Sequence, residues 1–179
     1  MKVKVHIFAE GKHGKIYTVG RQISGQEIFE DSELIKFVQK SVETKYETDA
    51  IDLEGKIQLM AERYGVLPKF FREEHSQQRP RLKALPGKID NHRVRIYGYR
   101  KSNELALIGS GAGKPHRQDK WRLDDFPECK KAADFIVAVE KSIKRNIDAK
   151  KIVEHIDGYY DMSGNLLREF VIVIPDSFK

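Results

Sequence analysis

The sequence predicts an α+β fold: an antiparallel β-sheet with an N-terminal helical hairpin and a C-terminal helix, plus an extra C-terminal β-hairpin. Three observations predict it. Stretches with period-two alternation come in pairs, at the start, middle and end of the chain. Two stretches of helical period lie side by side between the first pair and the second. The cleanest helical stripe, Ala132, Phe135, Ile136, Val139 and Ile143, stands alone after Pro127. Helices grouped apart from antiparallel pairs argue for α+β rather than a doubly wound sheet.

Element by element, Val3, Val5 and Ile7 share one strand face. Residues 15–20 resume the pattern after the turn-like Glu10-Gly11-Lys12-His13-Gly14, which predicts an opening hairpin. Leu34, Phe37, Val38 and Val42 predict a helix over 32–46, capped by Asp31 or Ser32. Leu53, Ile57, Met60 and Tyr64 predict a second helix over 53–64, with Asp52 as cap and Gly65 and Pro68 as stops. Residues 72–90 are polar and turn-prone. Strands are expected over 91–99 and 104–109, joined tightly by Lys101-Ser102-Asn103. Gly109 to Pro115 reads as a flexible loop. Proline at 127 suits a first helical turn. Residues 152–160 and 166–174 are expected to form a last hairpin around Asp161–Asn165. Phe170 to Ile174 is apolar on both faces, which requires a covered strand or an interface, with a second copy as one partner.

The 179 residues suit a single domain, 1–179, with a real core. No apolar run reaches the roughly 18–20 residues of a membrane span. The charged opening Met1-Lys2-Val3-Lys4 lacks the apolar block of a signal peptide. The lone Cys129 suits a reducing cytoplasm. The net charge is +6, and its distribution is uneven. Residues 79–122 hold twelve Lys and Arg against Asp90, Glu104 and Asp119, a net +9, so the rest of the chain carries −3. Such asymmetry points to a polyanionic partner, with a merely solvated basic surface as the competing account.

Several chemistries fail on spacing. Counting back from Gly113-Lys114, a P-loop needs glycine where Ile108 stands and Ser or Thr where Pro115 stands. Glycines 109, 111 and 113 still allow backbone N–H groups to approach a phosphate. No two of the six histidines have zinc-site spacing, so no metal or cofactor is implied. Cys129 reads as packing. The remaining constellation is basic. Arg93, Arg95, Tyr97 and Tyr99 share one face of the strand at 91–99, a set suited to phosphate binding and base stacking. Lys83, Lys114 and His116 can converge on its rim. A solvent-facing strand whose tyrosines cover the core edge is the plainer alternative.

In order, the chain shows Lys83-Ala84-Leu85-Pro86-Gly87, His92-Arg93-Val94-Arg95-Ile96, Tyr99-Arg100, Leu105-Ala106-Leu107-Ile108-Gly109, Lys114 and Pro127-Glu128-Cys129-Lys130-Lys131-Ala132-Ala133. This order resembles the RelE/ParE superfamily of toxin–antitoxin toxins, in particular the HigB-like, phage-derived branch. The resembling core spans 31–147, with 148–179 as an additional hairpin and 115–126 as an insertion. The resemblance implies an RNA-binding, ribosome-associated and metal-independent mRNA endonuclease, silenced by an antitoxin protein. A 2′-hydroxyl would attack the neighbouring phosphate while clustered cations stabilise the charged transition state. Lys83 and Lys114, or His92 or His116, would move protons. Arg95 and Arg100 would clamp the phosphate, and Tyr97 or Tyr99 would stack on a base. Arg81, Arg93 and Arg117 would complete the RNA contacts. A catalytically inert RNA- or protein-binding module on the same scaffold remains the alternative, and gyrase-directed activity a third.

Overall fold

The computed structural model describes residues 1–24, 26–73, 79, 81–86, 94–113 and 123–178. It shows a mixed α+β architecture. Among the described residues, a seven-stranded, mostly antiparallel sheet carries helices on both faces.

The opening hairpin is β1 (Lys2–Gly11) and β2 (Gly14–Arg21). Its alternation buries Val3, Val5, Tyr17 and Val19 on one face. Helix α1 (Glu33–Ser41) starts at Ser32, whose hydroxyl accepts the Ile35 N–H at 3.1 Å. It stops before the expected 46: Val42 already leaves the helix at φ −56°, ψ 140°, and Glu43 follows with a left-handed φ of 60°. Helix α2 (Glu47–Leu59) begins earlier than expected, since Ala50 extends the buried stripe of Leu53 and Ile57 backwards. It runs on as a π-helical turn, Met60–Tyr64, that Gly65 ends at φ 74°.

Then come β3 (Arg72–Glu73), β4 (Lys83–Pro86), β5 (Val94–Arg100) and β6 (Leu105–Gly113). Helix α3 (Pro127–Asp148) follows. The chain closes with β7 (Val153–Glu154), β8 (Tyr159–Tyr160) and β9 (Glu169–Val173). The sheet order is β3-β4-β5-β6-β2-β1-β9. Among the described strands only β2 and β6 are parallel, in register from Lys15↔Leu105 to Tyr17↔Leu107.

The two faces have separate cores. One packs Leu34, Phe37, Leu53 and Ile57 of α1 and α2 onto Ile16, Ile96, Ala106 and Ile108. The other packs Phe135, Ile136, Val139 and Ile143 of α3 onto Val5, Tyr17, Tyr97 and Leu107. Fully burying one Leu, Ile, Val or Phe side chain in such a core contributes about 1.5–3 kcal/mol of transfer energy.

Two expectations are corrected here. As far as Gly113, the expected glycine loop is strand. Gly109 to Gly113 form the second half of β6, and a Cβ on Gly111 would stand 2.8 Å from the Phe37 ring. Glycine is required there because helix α1 and the Tyr46 ring lie directly on the strand. The expected last hairpin is split. β7 pairs with β8, whereas β9 pairs antiparallel with β1, Lys2 facing Val173. Tyr160↔Leu166 is an isolated bridge between the two expected arms. β9 buries Ile172 and leaves Val171 and Val173 exposed on its other face. Among the described residues no helix is long and apolar enough to cross a membrane.

Candidate functional site

The parallel ladder between β2 and β6 stops at Tyr17↔Leu107. Beyond it, β2 stays with β1 while β6 stays with β5. A bulge sets Gly109 and Ser110 of β6 opposite Tyr97, which bends the strand and reverses its side-chain alternation. The sheet therefore opens between the carboxyl ends of two parallel neighbours. From β2 the chain turns to α1 on one face, and from β6 towards α3 on the other. A crevice outside the carboxyl ends of strands, at such a reversal, is where open α/β sheets generally bind ligands.

A cleft of about 570 Å³ lies here. Helix α1 supplies Glu33, Lys36, Phe37 and Lys40, and the turn after it supplies Tyr46. Ser110 to Gly113 line the sheet end, and Glu128 and Lys131 the α3 side. Arg21, the last residue of β2, ties the two helical layers together. Its Nε donates to Glu33 at 3.0 Å, Nη1 donates to the Phe178 carbonyl at 2.6 Å, and the guanidinium stacks 4.1 Å from the Phe135 ring centre. Lys36 holds both Glu30 and Glu33. Those carboxylates raise the Lys36 pKa although its partial burial opposes them. Among the described residues, Lys40 and Lys131 have no ion-pair partner and both are exposed.

The residues expected to act are dispersed. Arg95 and Arg100 lie five positions apart on β5, so they project from opposite faces and stand roughly 16 Å apart along the strand. They do not converge on one phosphate. Arg100 donates to the Val66 carbonyl at 2.7 Å and also binds Asn103. Lys83, opposite Gly98, pairs with Glu73. Arg81 is exposed in a left-handed turn, φ 65°. Tyr97 and Tyr99 do share a face, as expected, but α3 covers it, leaving them 0% and 6% exposed. A face buried beneath a helix offers no stacking platform. Burial also drives the Tyr99 hydroxyl pKa well above its ordinary value, helped by nearby Glu140. Among the described residues expected to act, Arg95 comes nearest the cleft in register, paired with Pro86 and with the cleft-lining Ala112. His92, Arg93, Lys114, His116 and Arg117 lie outside the described residues.

Other cations of the basic stretch hold the fold together. Arg79, 3% exposed, donates to Asp134 at 2.6 Å and Asp124 at 2.8 Å. It thereby lowers the pKa of both carboxyls. Lys101 bridges Glu140 and Glu154 at 2.7 and 2.8 Å. Sequence reasoning missed the cleft residues Arg21, Lys40, Ser110 and Lys131. They are far apart in the chain, and no short motif joins them. Among the described residues no group of three or more His, Cys, Asp or Glu is placed to hold a metal ion.

No protein-family model, no curated protein and no solved structure matches this chain.

Proposed function

We propose that the protein is an RNA-binding module on a RelE/ParE-like toxin core, HigB-like in its element order, engaging RNA at the cleft end of the sheet. The observation that carries this reading is the connection from β2 through α1 and α2 to the β4–β5–β6 meander and on to α3. A helical hairpin, an antiparallel sheet and a proline-opened helix follow one another in the order that the resemblance calls for. At the cleft end, Lys40 and Lys131 remain without described counter-ions, as a phosphate backbone requires.

Binding without cleavage is the form of this reading that the geometry favours. Arg95 and Arg100 face opposite sides of the sheet, and Lys83 is held by Glu73. A metal-independent mRNA endonuclease is the second reading, supported by Arg95 at the open end. An antitoxin protein and the ribosome are the partners that reading entails.

The test uses labelled single-stranded RNA with purified protein, with and without ribosomes. The expected result is binding that weakens with salt by about 0.7 log units per tenfold change for each phosphate contacted, with no cleavage. Lys40→Glu together with Lys131→Glu should abolish binding. Cleavage lost in Arg95→Ala would establish the nuclease instead. Absence of both binding and cleavage would refute the RNA reading altogether.

A further inference from the structure

The cleft is more than a basic surface. It is a concavity of about 570 Å³, within the roughly 300–1,000 Å³ of small-ligand sites, at the point where the parallel strands β2 and β6 part. Bulges are frequent beside active sites because they re-aim side chains. Here the bulge brings half-exposed Ser110 to the lining. The Ser110 hydroxyl has only a 3.5 Å contact to the Gly111 carbonyl, too long to hold it. The charges are sorted. Glu30 and Glu33 are held by Arg21 and Lys36. Lys40 on the α1 wall and Lys131 on the α3 wall remain open, and the exposed Glu128 is the one lining carboxylate with no described partner.

We infer that this cleft is a binding site for a phosphomonoester of mononucleotide size, its phosphate held between Lys40 and Lys131 with the Ser110 hydroxyl donating to it. Two ammonium groups from opposite walls suit a dianion better than a diester. The ligand can come from two sources, a free mononucleotide or the terminal phosphate of an RNA strand. In the second case the inference deepens the proposed RNA binding and rests on it. In the first it stands alone.

Titration calorimetry with the intact protein decides. The probes are AMP, adenosine, and two short RNAs of one sequence ending in a 3′-phosphate or a 3′-hydroxyl. AMP should bind and adenosine should not. Lys40→Ala and Lys131→Ala should each weaken AMP on the order of tenfold, and Ser110→Ala by a smaller factor. Glu128→Gln should strengthen it, a sign that no loss of fold can mimic. Lys144→Ala, at the distant end of α3, is the control and should change nothing. AMP binding no tighter than adenosine, or indifferent to Lys40 and Lys131, would overturn the site. AMP binding with no affinity for either RNA would keep the site and sink the RNA reading. Preference for the 3′-phosphate RNA would join the two.

Discussion

Replacing Arg21 with methionine tests whether one side chain couples the two helical layers. The substitution keeps an apolar stem over Phe135 and removes the charge. It deletes the 3.0 Å bond to Glu33 and the 2.6 Å bond to the Phe178 carbonyl. A hydrogen bond involving a charged group contributes about 1.5–3 kcal/mol, and a partly desolvated cation–π contact about 1 kcal/mol. Glu33 loses one partner but keeps Lys36 at 3.1 Å, so its desolvation penalty is softened. The expected net loss is about 3 kcal/mol, a fall in Tm of roughly 6–12 °C for a chain of this size. Urea titrations of wild type, Arg21→Met, Glu33→Gln and the double variant would measure it. The cycle should return a coupling of about 1–2 kcal/mol. A loss below about 1 kcal/mol, or no coupling, would refute the view that Arg21 is what joins α1, α3 and the end of β2.

Three further outcomes follow from packing and charge. Gly113→Ala places a Cβ into the Tyr46 ring; it should lower the unfolding free energy from urea titration by about 1–3 kcal/mol, and adding Tyr46→Ala should recover part of that loss. Tyr97→Ala should destabilise by about 3–5 kcal/mol, whereas a stacking residue on an open face would instead weaken RNA binding at unchanged stability. Burial, then the neighbouring Lys4, holds the His6 imidazole below its ordinary pKa of 6.5, with Glu169 opposing. The unfolded chain therefore takes up this proton first as pH falls. Stability should be full above about pH 6.5 and decline below it, and His6→Gln should flatten that decline in urea midpoints measured at several pH values.

Much of the fold was legible because its signals are local. Val3, Val5, Tyr17 and Val19 alternate as a hairpin must, and the stripe from Ala132 to Ile143 has a helix's period. Gly111 and Gly113 misled, because a run of glycines looks the same whether it is a loop or a strand pressed against aromatic rings. The rings belong to Phe37 and Tyr46, some seventy residues earlier. Alternation correctly grouped Tyr97 and Tyr99 on one face, but period two cannot say which faces a later helix will cover. The partner of β9 was hidden for a similar reason: strand pairing is a long-range choice, and 152–160 was merely the nearest one. The cleft was not legible at all. It arises where β2 and β6 diverge, and no window of sequence contains both.

The pairing of β9 with β1 has a consequence in time. Lys2 and Val173 are adjacent in the sheet and lie 171 positions apart in the chain. At a synthesis rate of about 5–20 residues per second, the outer border of β1 waits roughly 10–30 s for its partner to emerge. During that interval the nascent chain exposes an unfilled strand border, the kind of template on which neighbouring chains associate. Lys2 and Lys4 alternate with Val3 and Val5 along that border. Their repelling charges keep it open for its own distant strand and discourage strangers.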